Sequence, residues 1–122
     1  MEMDLANDIN RLMQELTASI SRLAENGRKL AEKERDYKIT LHTEALRLKQ
    51  EKSMAVTLID LLIYGVPAVA KLRFERDVAQ TIYDTNQEHI NATKLKIRIL
   101  ESQLSREWGN VKIWWETIKK YG

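Results

Sequence analysis

The sequence predicts an all-α chain: a long antiparallel helical hairpin, coiled-coil-like, with a short C-terminal amphipathic helix, the whole packed as a dimeric helical bundle. Three observations carry that expectation. Apolar residues recur in steps of three and four along nearly all of the 122 residues, no alternation of period two is sustained, and four Gly and one Pro leave little punctuation for strands or loops. With hydrophobic residues at 43% and charged residues at 31%, the chain is too apolar to stay disordered.

The first element is read from Leu5, Ile9, Leu12, Leu16, Ile20 and Leu23, then Leu30, Tyr37, Leu41 and Leu48. These positions draw one apolar stripe on a helix. Asn26-Gly27 is a turn dipeptide, yet the stripe passes through it in phase, which favours a continuous or kinked helix over a full reversal. A reversal there would instead give a monomeric three-helix bundle. The strong break is Tyr64-Gly65-Val66-Pro67, where Gly can adopt the left-handed conformation that closes a helix and Pro suits the first turn of the next. Beyond it Leu72, Ala79, Tyr83, Ile90, Ile97, Leu100 and Leu104 restore the spacing. Gly109-Asn110 reads as a stop followed by an N-cap, and Val111, Trp114, Trp115 and Ile118 stand at i, i+3, i+4 and i+7 of a short helix. The expected organisation is one domain over residues 1–122, with arms at about 4–64 and 68–108, a turn at 65–67 and a short helix at about 111–120.

Strict heptads put polar residues on both stripes: Ser19, Asn26 and Lys33 on the first arm, Asn86 and Thr93 on the second. Such residues weaken a helical seam but can fix its register. Irregular, wet positions are the competing reading. The segment from Val56 to Tyr64 is apolar nearly all round, more than a two-helix seam can hide, so Leu58, Leu61, Leu62 and Tyr64 are expected at a homodimer interface.

Composition also narrows the chemistry. With 20 Lys+Arg against 18 Asp+Glu the net charge is only +2, and no Cys removes disulfides, thiolate metal sites and cysteine nucleophiles. Glycines at 27, 65, 109 and 122 cannot build a phosphate loop. His42 and His89 stand one on each arm, in no spacing that holds a metal on one helix face, although antiparallel pairing would bring them to similar heights. Glu25 with Lys29 and Glu34 with Lys38 are ordinary i, i+4 pairs. Asn91-Ala92-Thr93 matches a glycosylation sequon, expected to be chance in the middle of a helix. Catalytic, cofactor-binding and metal-binding residues are therefore all expected to be none. The first ten residues are acidic rather than apolar, and the most apolar window, Met54 to Ala70, is shorter than the roughly 20 residues of a membrane span. No membrane and a cytoplasmic location are the expectation.

The C-terminal third carries the binding signal. From Lys94 onward seven Lys/Arg face three Glu, and Trp108, Trp114, Trp115 and Tyr121 lie among them. Trp anchors are typical of protein interfaces, while Lys and Trp together can neutralise phosphates and stack on unpaired bases. Docking of this helix onto the body of the protein is the structural alternative. Trp108, Trp114, Trp115, Lys119 and Lys120 are the candidate partner-binding residues.

The stretches Ala68-Val69-Ala70-Lys71-Leu72-Arg73-Phe74-Glu75-Arg76-Asp77 and Leu100-Glu101-Ser102-Gln103-Leu104-Ser105-Arg106-Glu107-Trp108 resemble small helical proteins from the early regions of temperate phages of Gram-positive bacteria. The resemblance spans roughly 68–108 and is one of texture, without a diagnostic motif. It implies a phage-encoded accessory or inhibitor protein, of anti-CRISPR or replication-accessory type, acting in the cytoplasm of a bacterial host. The expected function is non-enzymatic binding to a host or phage protein as a homodimer, with single-stranded nucleic acid as the alternative partner.

Overall fold

The computed structural model describes residues 2–121, the side chain of Glu2 excepted. Its elements are α1 (Glu2–Glu51), α2 (Val56–Leu62), a 3-10 turn (Ile63–Gly65) and α3 (Pro67–Tyr121), and there is no strand among the described residues. The fold is all-α, and α1 packs against α3 in the manner of a helical hairpin. It resolves into two compact units, one of residues 23–86 and one of residues up to 22 together with those from 87 onward.

In the unit of residues 23–86, α1 and α3 run antiparallel. Asn26 faces Asn86 in a hydrogen bond of 2.9 Å, and the Lys33 ammonium lies 3.4 Å from the Glu75 carboxylate. Asn26-Gly27 is not a reversal: α1 continues through it, as the unbroken stripe favoured. The glycine serves packing instead. A Cβ built at Gly27 would stand 3.3 Å from Cε2 of Tyr83, so the missing side chain lets that ring come close.

The turn departs from expectation in two ways. The first arm does not reach residue 64: α1 ends at Glu51, and Ser53 takes the left-handed φ of 50°. The Leu48 carbonyl accepts the N–H groups of both Lys52 and Met54 there, each at 3.3 Å, which closes the helix without a glycine. Gly65, by contrast, has no left-handed φ, and closes a 3-10 turn from which Val66 donates to the Ile63 carbonyl at 3.1 Å. Pro67 opens α3, where its missing N–H costs nothing. The short α2 lays Ile59 inward, and Ile63 follows one turn later. Both join Tyr37, Leu48 and Val69 in the core, with Leu41, Ala45, Met54, Val66 and Leu72 packed around them.

In the other unit the start of α1 lies antiparallel to the later part of α3, with Met3 and Ala6 facing Leu104 and Trp108, and Leu12 facing Leu100. Leu12, Ile90 and Ile97 are buried, and so are the polar Ser19 and Thr93. Thr93 donates its hydroxyl to the His89 carbonyl at 2.8 Å, while Ser19 accepts from the Arg22 guanidinium at 2.9 Å. Polar seam positions thus stay inside because each polar atom finds a partner. Ile20, counted on the apolar stripe by its spacing, is exposed; the strict heptad position Ser19 takes the interior place.

There is no separate helix at 111–120. α3 runs from Pro67 to Tyr121 without interruption, and Gly109-Asn110 forms no stop. Gly109 falls on the outer side of the heptad, where a side chain contributes least to packing. One glycine costs a helix only about 1 kcal/mol, too little to end it in the middle of an otherwise strong former.

Candidate binding surface at the end of α3

α3 follows a single heptad. Seam positions run Val69, Leu72, Arg76, Ala79, Tyr83, Asn86, Ile90, Thr93, Ile97, Leu100, Leu104 and Glu107, and every one is buried or half-buried. The same two positions continue as Val111, Trp114, Ile118 and Tyr121, and all four are exposed. The change is progressive: Ile97 is 6% exposed, Leu100, Leu104 and Glu107 are half-buried, and Trp114 is 63% exposed. It falls where Trp108 reaches the level of Met3 at the start of α1. A greasy seam that was covered for eleven turns becomes bare.

Trp108 and Trp115 stand beside the seam in the next heptad position and are exposed as well. The apolar face is therefore wider than a two-helix seam uses, and suits contact with more than one helix. Lys119 and Lys120 occupy the last turn, where cations interact favourably with the helix dipole. The Lys119 ammonium lies 5.6 Å from the centre of the Trp115 ring and that of Lys120 lies 5.5 Å from the Tyr121 ring. The expected partner-binding residues Trp108, Trp114, Trp115, Lys119 and Lys120 thus share one helix end, and the alternative, a tail docked on the body of the protein, does not hold for these side chains. Trp108 additionally forms the rim of an open groove of about 660 Å³ lined by Met3, Ala6, Glu101, Leu104 and Ser105. Spacing alone does not reveal that groove, because it requires the antiparallel register.

The expected oligomer surface is in the other unit. Leu58, Leu61, Leu62 and Tyr64 are all exposed, Leu61 at 76%, while Ile59 and Ile63 between them are buried by the chain itself. The Arg73 guanidinium sits 4.9 Å from the centre of the Tyr64 ring, which covers part of it. The same α3 segment is divided by position. Arg76 stacks on the buried Tyr37 ring at 4.7 Å and Glu75 pairs with Lys33. Phe74 points outward, with Val78 and Ile82 continuing its exposed stripe at i+4 and i+8.

Little acid–base chemistry is present. His42 and His89 are exposed and belong to different units, and no group of three or more His, Asp or Glu among the described residues could hold a metal ion. The hydrogen bond from Arg28 lowers the Glu25 carboxyl below its ordinary value, with the charges of Arg28 and Lys29 adding to it. Glu25 thus pairs with Arg28 rather than with Lys29 alone, whereas Glu34 does meet Lys38, at 3.5 Å. The Arg28, Arg47 and Arg76 guanidiniums are raised by hydrogen bonds to Glu25, Glu44 and Asp77 respectively. These are solvated pairs on helix faces. In the sequon Asn91-Ala92-Thr93 the threonine is a buried seam residue. No helix among the described residues is long and apolar enough to cross a membrane. No family model matches the chain, and no curated protein or solved structure matches it.

Proposed function

We propose that the protein is a non-enzymatic binding protein that acts through protein–protein contact at the end of α3. One observation carries this reading: Val111, Trp114, Ile118 and Tyr121 continue a seam whose earlier positions are all covered, yet are themselves exposed. Burying such a face is worth about 25 cal/mol per Å² of apolar surface, and Trp is the residue most enriched at the energetic centres of interfaces. The resemblance of residues 68–108 to phage early-region proteins is in keeping with a host or phage protein as partner, and with an inhibitor of a host defence enzyme as the role. The patch of Leu58, Leu61, Leu62 and Tyr64 is the surface through which a homodimer was expected from the sequence, and it remains a proposal on the same footing.

Shortening the chain after Gly109 tests the reading. Helix content by circular dichroism should fall only by the share of the removed turns, while capture of a host protein from lysate should be lost. Collapse of helicity would mean that the tail is core and would refute the proposal.

A second reading has its own observation. Lys112, Lys119 and Lys120 surround three exposed tryptophans, the composition of a single-stranded nucleic-acid platform. It predicts Trp fluorescence quenched by oligonucleotide at low salt and released steeply as salt rises. Absence of quenching at low salt removes it.

A further inference from the structure

We infer that the uncovered seam of α3 pairs with the same segment of a second copy of this chain, antiparallel, so that each tail end lies over the other's groove at Met3 and Trp108. The inference rests on the tail being a protein-binding surface and names its partner. Its first support is continuity. Through Ile97 the seam of α3 is buried or half-buried against an antiparallel helix within the chain, Leu100, Leu104 and Glu107 are half-buried, and the heptad then proceeds without a change of phase through the exposed Val111, Trp114, Ile118 and Tyr121. Another antiparallel helix is what that face is shaped to meet, and α3 of a second copy presents matching residues.

Length and shape supply the second support. Residues 110–121 extend roughly 18 Å at about 1.5 Å per residue. In the twofold register that sets Val111 against Trp114 of the second copy, Tyr121 falls opposite the second copy's Leu104. That residue lines the open apolar groove, in which Met3 is 77% exposed and Trp108 64%. The tail end therefore reaches a vacant apolar trough, and the tryptophans beside the seam turn towards the start of the second copy's α1. A face three positions wide would then contact two helices, as its width requires.

Charge supplies the third. The tail end carries Lys119 and Lys120, whereas the groove end carries Glu101 on its lining, Glu107 in the seam and Asp4 in the first turns of α1. Arg106 lies on the outer side of the heptad. The C-terminal, negative end of one α3 would also approach the N-terminal, positive end of the other copy's α1. Opposite charges meet at both ends of a symmetric pair, so the complementarity counts twice.

Light scattering of the full chain at tens of micromolar tests this. The expected result is a dimer whose dissociation constant rises on the order of 100-fold in Ile118→Glu, an exposed apolar seam position that this register sets against the second copy's Glu107. Lys119→Glu with Lys120→Glu should weaken the dimer by about tenfold and reverse its salt dependence, since acids then face acids, and adding Glu101→Lys with Asp4→Lys should restore both. Leu95→Glu, at an exposed position on the outer side of the same heptad, should leave the mass unchanged. Circular dichroism of each variant confirms that the helices persist. A monomeric wild-type chain overturns the inference, and if that monomer captures a host protein through its tail, the reading under Proposed function stands without it. A dimer insensitive to Ile118→Glu but broken by Leu61→Glu overturns it as well, as does a monomer whose tail binds oligonucleotide or anionic vesicles.

Discussion

The side-chain amide of Asn26 donates to the side-chain oxygen of Asn86 at 2.9 Å, joining α1 to α3 across the seam. Two amides sixty residues apart meet only in one register. Sliding either helix by a heptad would set Asn26 against Ala79 or Thr93 and Asn86 against Ser19 or Lys33, and the amide pair would be lost.

Replacing one partner should therefore cost more than replacing both. Asn86→Leu is expected to destabilise by about 1–3 kcal/mol, because the Asn26 amide loses its acceptor in a partly buried place. The double change Asn26→Leu/Asn86→Leu should recover most of that, with a coupling above about 0.5 kcal/mol in a double-mutant cycle from urea unfolding. Additive effects would show that the hydrogen bond contributes nothing to register.

The two mid-helix glycines should respond in opposite directions. Nothing lies within 4 Å of a Cβ at Gly109, so Gly109→Ala should stabilise α3 by about 0.5–1 kcal/mol through helix propensity alone. At Gly27 the Tyr83 ring is 3.3 Å from the Cβ position. Gly27→Leu should destabilise by about 1–3 kcal/mol, since the larger side chain must displace that ring. Thermal unfolding of the two variants checks both signs. A stabilising Gly27→Leu would mean that the ring moves freely and that the helices are not in close contact there.

The all-α fold, the turn before Pro67 and the polar seam residues were legible because each is a local pattern: a spacing, a Gly-x-Pro sequence, a heptad position. Gly109-Asn110 misled as a stop signal because such a dipeptide states what the backbone can do, not what the flanking seam requires, whereas at Asn26-Gly27 the stripe passing through in phase already favoured a continuing helix. Strict heptad counting from Val69 to Ile118 would have joined the tail to α3. Ser53 could not have been found this way, since a serine in left-handed conformation is set by the packing of Met54 and Ile59 around Leu48 rather than by its own preference. The groove at Met3 and Trp108 depends on pairing between residues about a hundred positions apart, so no local window contains it.

Acid should act on the surface pairs in a defined direction. Glu25 is held below its ordinary value by Arg28, so its contribution is fully present above the unfolded carboxylate value of about 4.3 and is lost as pH falls through the lower folded value. Wild type should exceed Glu25→Gln in thermal midpoint near neutral pH, and the two should converge in acid. High salt should shrink the difference, because the pair is exposed. A difference that persists in strong acid would assign it to helix propensity instead of charge.

Ile97 and Ile99 lie two residues apart on α3 with the same side chain in opposite settings, the first buried at 6% and the second exposed at 55%. Only phase separates them, which makes the pair a direct test of the seam. Ile97→Ala removes a packed side chain between the two helices and should cost about 2–4 kcal/mol, combining lost transfer energy with the cavity left behind. Ile99→Ala should stay within about 0.5 kcal/mol, since alanine's helix propensity offsets what little contact is lost. Denaturant unfolding of both variants measures the difference. If the two costs were equal, α3 would have to be rotated from the described seam or covered on its outer face by another molecule. Repeating the comparison across a range of protein concentrations separates those causes, because only an intermolecular contact makes the Ile99→Ala effect depend on concentration.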